Sequence, residues 1–349
     1  MKARATLQQL LGIDLPIVQA PMAGAQGSAL AAAVSNAGGL GSLPCALLTP
    51  EAMHRELAAI KAKTAKPINV NFFCHAPPAR DARREAAWRT ALSPYFQELG
   101  VDPAGAPRAP LIAPVGLEAI EMLAEFRPAV VSFHFGLPSE ELLGRVRTFG
   151  ARIVSSATTV DEARWLEAKG VDAIIAQGIE AGGHRGSFLS DDPRSQVGTN
   201  ALLQQVLRAV DIPVIAAGGI ADAIDVAAAM ALGAAAVQVG TAYLLCPEAT
   251  LSPVYRAALK SGAARHTALT NVFSGRPARA IVNRLMRELG PISELAPEFP
   301  LALSPLVPLR AKAETLGSDD FSFLWCGQNA SGCKEISAAV LTHDLAVAP

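Results

Sequence analysis

The sequence has little charge and few aromatic residues, and both shortages exclude classes of function. Of its 349 residues only 17% are charged and 5% are aromatic, and 30 basic residues face 31 acidic ones. A nucleic-acid-binding protein needs a positive surface that displaces counterions from phosphates, and often aromatic rings on which bases stack. We therefore expect no nucleic-acid partner. The 51% share of hydrophobic residues excludes a disordered chain, because so much apolar surface must collapse into a core.

Cysteine pairs and long apolar runs are also missing. The five cysteines are scattered, without a CxxC pair or a histidine at metal-ligand spacing, so neither a disulfide framework nor a metal site is predicted. The most apolar stretch, 213–245, is interrupted by Asp222, Asp225 and several glycines, which excludes a membrane span. The first residues mix glutamine and aspartate with apolar residues and form no signal-peptide core. We expect a cytoplasmic protein without a membrane partner, as a monomer or a homodimer.

Short apolar runs alternate with alanine-rich segments of helical period along the first 245 residues. The predicted strands are 17–19, 40–42, 68–71, 130–134, 153–155, 173–176, 214–216 and 235–239. Between them the period predicts helices, several with a capping residue such as Ser139 or Thr159. Continuous apolar strands are typical of a parallel sheet covered on both faces. The pattern favours an α/β fold, a closed (β/α)8 TIM barrel over residues 1–245, with an open doubly wound sheet as the alternative.

Two stretches interrupt or follow this alternation. Residues 74–110 are rich in proline and arginine, contain one helix candidate at 80–92, and are predicted to be an insertion at the catalytic face of the barrel. Residues 246–310, with predicted helices at 253–261 and 278–289, are expected to form a smaller, mainly helical second domain or lid near the substrate. Helices predicted within 311–349 either extend this lobe or return to the barrel.

Two glycine-containing loops follow the last two predicted strands. Gly218 and Gly219 end the seventh strand, and Gly240 and Thr241 end the eighth. In a barrel of this type the site is built from the loops after the strands, so these glycines can bring several backbone N–H groups and a hydroxyl to one phosphate. A single glycine pair would indicate only a tight turn. Two such loops on consecutive strands favour a phosphate-bearing cofactor or substrate.

The loop after the sixth strand contains a candidate acid or base. His184 follows Gly182 and Gly183, and Gln177 at the end of the strand adds an amide. An imidazole at the mouth of a barrel can take up or release a proton near neutral pH. The alternative is a surface histidine in a mobile loop.

Two further polar residues end strands. His134 is either a packed histidine or a ligand contact, and Asn71 either reaches the edge of a heterocycle or caps a turn.

The chain resembles a known family through seven stretches that occur in order across most of the first 245 residues. They are QAPMAG (19–24), AVSNAGGLGSL (33–43), INVNFF (68–73), VSFHFGLP (131–138), SSATTVDEARWLEAKGVDAIIAQGIEAGGHRGSF (155–188), PVIAAGGIAD (213–222) and VQVGTAYL (237–244). In these stretches it is similar to the flavin-dependent nitronate monooxygenases, formerly 2-nitropropane dioxygenases, of the class I branch. The combination of AQGIEAGGHRG with AAGGIAD and QVGT is highly specific.

The resemblance implies a TIM barrel that holds FMN without a covalent bond. The implied FMN contacts are Met22, Asn71, Gln177, Gly182, Gly183, Gly218, Gly219, Gln238, Val239, Gly240 and Thr241. His184 matches the active-site histidine of the family, which orients a nitronate or acts as base on a neutral nitroalkane. The implied reaction oxidises alkyl nitronates, or nitroalkanes, with O2 to a carbonyl compound and nitrite by way of a flavin semiquinone.

One segment departs from the family pattern. The family members carry two tyrosines and a lysine in the substrate pocket, and the corresponding stretch here, 299–307, has none of the three. We expect His134, Phe299 and Leu303 to contact the substrate. Arg310 and Lys312 are the candidates to replace the missing positive charge.

Three other functions compete with this one. An NAD(P)H-dependent FMN reductase, acting on enoyl thioesters or quinones, shares the AGGI and GT loops, although the histidine loop favours the monooxygenase. A flavin-free isomerase or lyase for a phosphorylated metabolite lacks support, because no lysine ends a predicted strand and no carboxylate pair occurs at the barrel mouth. A non-catalytic binding module is the last alternative.

Overall fold

A parallel sheet closed into a ring forms the centre of the structure, a computed structural model that describes residues 6–103, 112–190 and 192–347. Eight parallel strands follow one another in the order β1-β9-β8-β6-β5-β4-β3-β2. In chain order the strands are β1 (Ile17–Gln19), β2 (Gly41–Pro44), β3 (Ile68–Phe73), β4 (Val130–His134), β5 (Arg152–Ala157), β6 (Ala173–Gln177), β7 (Gly183–His184), β8 (Val214–Ala217), β9 (Ala236–Val239), β10 (Thr267–Thr270) and β11 (Ala278–Ile281).

Backbone hydrogen bonds between β1 and the start of β2 close the ring. The Leu40 N–H donates to the Ile17 carbonyl at 2.8 Å, and the Gln19 N–H donates to the Leu40 carbonyl at 2.9 Å. The predicted (β/α)8 barrel is therefore confirmed, and the open doubly wound sheet is wrong. Each of the eight predicted barrel strands overlaps an observed one.

Helices pack on the barrel, in the 74–110 stretch and in the region that follows the barrel. They are α1 (Leu7–Leu11), α2 (Ser28–Asn36), α3 (Pro50–Lys63), α4 (Ala82–Leu99), α5 (Leu117–Phe126), α6 (Glu140–Thr148), α7 (Val160–Ala168), α8 (Thr199–Leu207), α9 (Ala223–Ala231), α10 (Pro253–Lys260), α11 (Arg284–Leu289), α12 (Leu306–Thr315) and α13 (Ala338–Ala346). Ser139 and Thr159 cap α6 and α7 as predicted, because their hydroxyls accept backbone N–H groups of the first turn. In the described ranges no helix has both the length and the hydropathy needed to cross a membrane.

A second hydrophobic core joins the 74–110 stretch to the region after the barrel. Trp88 on α4 packs with Phe273, Leu309 and Phe321, and its indole N–H donates to the Ala302 carbonyl at 3.2 Å. The α4 helix continues to Leu99, beyond the predicted end at 92, because Tyr95 and Phe96 are buried in this core. The end of the 74–110 stretch, from 104 onward, lies outside the described residues.

The helix predicted over 278–289 is wrong in its first half. Ala278–Ile281 is a strand that pairs antiparallel with β10 on one side and with β7, from the loop after β6, on the other. Only Arg284–Leu289 is helical. Pairing with the distant strand β7, as well as with the neighbouring β10, decided this conformation, and the local period of the segment does not carry that information. The last helix, α13, packs against α2, α9 and β1 of the barrel.

One glycine lets a helix approach the barrel closely. A Cβ atom at Gly41, in β2, would lie 1.9 Å from the backbone oxygen of Ala31 in α2. No larger residue fits there unless the helix backbone moves.

We expect Gly41→Ala to lower the free energy of unfolding by about 2 kcal/mol, because the new methyl group overpacks two backbones. Gly144→Ala is the matched control: it lies within α6, and a Cβ atom there would have nothing within 4 Å. It should raise the free energy of unfolding by about 0.5 kcal/mol, since alanine loses less backbone entropy on folding. Urea unfolding measures both values, and equal midpoints for the two variants would contradict this account of the packing.

Candidate active site

A cavity of about 1040 Å³ opens at the carboxyl ends of the barrel strands. Most residues singled out from the sequence line it, namely Met22, Asn71, His134, Gln177, Gly182, Gly183, His184, Gly218, Gly219, Gln238, Gly240, Thr241 and Leu303. Val239 and Phe299 lie behind its wall. Val239 is buried in the barrel core, and its carbonyl accepts the Ala20 N–H at 2.8 Å. The Phe299 ring packs against the His184 ring, with 5.3 Å between their centroids.

His184 is fixed in a strand and is not part of a mobile loop. In β7 it pairs with Ala278 of β11. Its carbonyl accepts hydrogen bonds from Gln177 Nε2 at 3.0 Å and from the His134 ring nitrogen Nε2 at 3.2 Å. Its own Nε2 lies 2.8 Å from the hydroxyl of Ser274. Nδ1 is thus the ring nitrogen left for a bound molecule.

Both cavity histidines are held neutral. Burial and, to a smaller extent, electrostatic repulsion from His134 and Arg276 together lower the pKa of His184 to about 3. Burial likewise lowers the pKa of His134 to about 4. The His134 ring is fixed by Ser156, whose hydroxyl lies 3.1 Å from Nδ1, while Nε2 donates to the His184 carbonyl. His134 therefore both lines the cavity and supports the backbone of His184.

Two arginines donate hydrogen bonds to backbone carbonyls at the end of β6 and just after it. Arg185 is 1% exposed, and its Nη1 and Nη2 donate to the carbonyls of Gly178 and Gln177 at 2.6 and 2.5 Å. Arg279 Nε donates to the Ile179 carbonyl at 2.9 Å. The sequence analysis missed both residues; the only signal was that Arg185 directly follows the histidine motif.

The first glycine loop has a backbone conformation that glycine favours, whereas Gly240 in the second has a φ of −118°, which any residue adopts. Gly218 and Gly219 have φ values of +119° and +74°, which residues with a side chain rarely adopt. A Cβ atom at Gly218 would lie 2.7 Å from the hydroxyl oxygen of Thr199. This glycine-rich end of the cavity therefore exposes backbone that side chains would otherwise cover.

A C-terminal segment completes this end of the cavity, and the sequence analysis missed it. The Gly327 N–H donates to the Thr241 hydroxyl at 2.9 Å, and Asn329 Nδ2 donates to the Gly219 carbonyl at 3.1 Å. Both residues line the cavity. Because both residues are far in sequence from the barrel loops, no local sequence pattern indicates these contacts.

Gln238 offers the clearest indication of a ligand. Its side-chain oxygen Oε1 is buried and has no hydrogen-bond partner in the described part of the chain, although the residue lines the cavity. Buried polar atoms are nearly always satisfied, so this acceptor fits a donor on a bound molecule. The buried acceptor of Gln238 fits an N–H group of a heterocycle, and the glycine-rich backbone after β8 and β9 fits a phosphate of the same molecule.

The remaining wall is apolar and carries one basic side chain. Phe73, Leu303, Val307 and Trp325 line it near His184. Among the described residues that line the cavity, Arg310 is the only lysine or arginine.

Arg310 is oriented by its neighbours. Its Nε donates to Glu314 Oε1 at 2.9 Å, and the guanidinium lies 5.1 Å from the centroid of the Phe323 ring. Lys312, the other candidate, is exposed and does not line the cavity.

Comparisons with known proteins agree with this geometry. The sequence model of the family described as Nitronate monooxygenase matches residues 4–347. The Nitronate monooxygenase of Pseudomonas aeruginosa is 44% identical over 349 residues, with 97% of each chain covered. That of Paraburkholderia phytofirmans is 44% identical over 347 residues, covering 98% of this chain and 94% of the relative.

Solved structures extend the comparison. Nitroalkane oxidase from Streptomyces ansochromogenes superimposes with a TM-score of 0.88 at 38% identity, covering 98% of this chain and 97% of the other. FabK from Thermotoga maritima superimposes with a TM-score of 0.73 at 29% identity, covering 98% and 95%. With this sequence match over nearly its full length and the barrel described above, the chain belongs to the nitronate monooxygenase family of oxidoreductases.

Proposed function

We propose that this protein uses bound FMN and O2 to oxidise alkyl nitronates to a carbonyl compound and nitrite. The observation that carries the proposal is the position of His184, a neutral imidazole on the cavity wall between the glycine loops and an apolar pocket. Family membership and the similarity to a nitroalkane oxidase support the same reaction class.

The residues of the cavity fit FMN. Gln238 Oε1 would accept an N–H of the flavin ring, and the backbone at Gly218, Gly219 and Gly240 would hold the phosphate beside Asn329. When bound, the flavin supplies the redox chemistry that no side chain of the cavity provides.

The protein's own contribution is to bind and orient the substrate. A neutral His184 can donate a hydrogen bond from its ring to a nitronate oxygen. The apolar side chains around it, among them Phe73, Leu303 and Trp325, exclude water, which strengthens any such polar contact. We further propose that Arg310 binds an acidic group at the outer part of the pocket.

A nitrite-release assay with a panel of nitronates and nitroalkanes tests the function. The same preparation is mixed with NADH under anaerobic conditions, because the similarity to FabK makes an NAD(P)H-dependent reductase the second candidate. We expect nitrite from nitronates and no rapid bleaching of the flavin by NADH. Rapid bleaching without nitrite release would replace the proposal by the reductase.

We expect His184→Asn to lower kcat/KM for a nitronate by about a hundredfold, because a positioned hydrogen bond near the reacting atoms is lost. The flavin content of the variant should match that of the wild type. Since the pKa of His184 is about 3, its protonation should not limit the wild-type rate at or above about pH 5. Full activity of the variant in a stopped-flow assay would remove His184 from the reaction.

We expect Gly219→Val to bind FMN at least about tenfold more weakly, a loss of ~1.4 kcal/mol, because a branched side chain occupies the phosphate approach. Gly317→Val is the matched control. Its φ of +76° equals the +74° of Gly219 within a few degrees, a Cβ atom there meets nothing within 4 Å, and it does not line the cavity. Flavin absorbance of the purified proteins measures the difference, and equal flavin loss in both would assign the effect to backbone strain alone.

We expect Arg310→Met to raise KM about tenfold for a nitronate that carries a carboxylate, since a charge-assisted hydrogen bond is lost. The KM for an uncharged alkyl nitronate should stay within about twofold. Lys312→Met removes a positive charge on the same helix outside the cavity and serves as control. Equal effects of Arg310→Met on both substrates would refute the assignment.

A further inference from the structure

Among the described residues, the Ser274 hydroxyl makes its shortest hydrogen bond to the ring of His184. The residue is 2% exposed and lines the cavity. Its Oγ lies 2.8 Å from His184 Nε2, whereas the Arg276 carbonyl and N–H lie at 3.3 and 3.5 Å. An O–H donor normally lies 2.5–3.0 Å from its acceptor oxygen, so the carbonyl is a poor alternative acceptor for the hydroxyl proton.

A neutral imidazole carries a single proton, and the partner of one nitrogen decides which nitrogen holds it. His184 is neutral, because burial lowers its pKa to about 3. If the Ser274 hydroxyl donates to Nε2, the proton of the ring must be on Nδ1. In the opposite tautomer the Nε2–H would donate to Ser274, and the hydroxyl proton would be left with the distant Arg276 carbonyl.

We propose that Ser274 is a positioning residue that fixes His184 with its proton on Nδ1, so that the ring presents an N–H donor to the substrate. His134 does not compete for this nitrogen, because its Nε2 donates to the His184 carbonyl. The identity of the acceptor rests on the proposed function, in which the Nδ1–H group of His184 donates to an oxygen of the anionic nitronate. No proton is transferred in this contact. His184 then acts as a hydrogen-bond donor and is unsuited to be the base for a neutral nitroalkane.

The tautomer is measured directly by nitrogen-15 NMR of the flavin-loaded protein labelled in its histidines. The signals of His184 are identified by their loss in His184→Asn. We expect protonated Nδ1 and unprotonated Nε2 in the wild type and in Ser274→Thr, which keeps the hydroxyl. Ser274→Ala should shift protonation toward Nε2. A protonated Nε2 in the wild type, or an unchanged tautomer in Ser274→Ala, would overturn the inference.

Kinetics give a second readout. Ser274→Ala should raise the KM for a nitronate about tenfold with little change in kcat, and Ser274→Thr should restore it. Ser293→Ala is the control, since in the described part of the chain this buried hydroxyl accepts the Leu295 N–H and does not line the cavity. An equal loss of nitronate affinity in Ser293→Ala would point to a general structural effect and contradict the assignment. If the wild type releases no nitrite from any nitronate, the proposed function fails, whereas the NMR result still decides the role of Ser274.

Discussion

The buried guanidinium group of Arg185 holds the backbone on which the rest of the site depends. It donates to the carbonyls of Gln177 and Gly178, and its Nε donates to Gln196 Oε1 at 2.9 Å. Burial lowers the pKa of Arg185 to about 10, so the group remains charged at neutral pH. Three charge-assisted hydrogen bonds compensate for its burial. The Gly178 carbonyl also accepts the Ala181 N–H at 3.1 Å, so Arg185 adds a charged donor to a backbone turn that is already hydrogen-bonded.

This anchoring explains how a glycine-rich segment can hold the His184 side chain in one position. Gly182 allows a close approach to neighbouring backbone, since a Cβ atom there would lie 2.6 Å from the Gly327 nitrogen, and Gly183 has a φ of +72°. Glycine alone would leave such a segment mobile. Pairing of β7 with β11, together with Arg185 and Arg279, removes that freedom. Contacts from both the barrel and the region after it therefore fix the position of His184.

The cavity histidines are uncharged, which limits how they can contact an anion. The histidine rings are kept neutral by burial and by the nearby charge of Arg276. A neutral ring contributes to binding an anion only through an N–H group, so the identity of its protonated nitrogen matters for function. Arg310, held by Glu314 and Phe323, is the basic group at the outer wall.

The sequence by itself determined the barrel, its strands and the glycine pair after β8, and it singled out His184 as a candidate that lines the cavity. Apolar runs, helical period, caps and glycine pairs are local properties, and each determines the conformation of the segment in which it occurs. The tertiary structure alone decided the strand at Ala278–Ile281, the positions of Val239 and Phe299 behind the cavity wall, and the contacts of Ser274, Gly327 and Asn329. These features depend on pairing and packing between segments far apart in the chain, which no local pattern records.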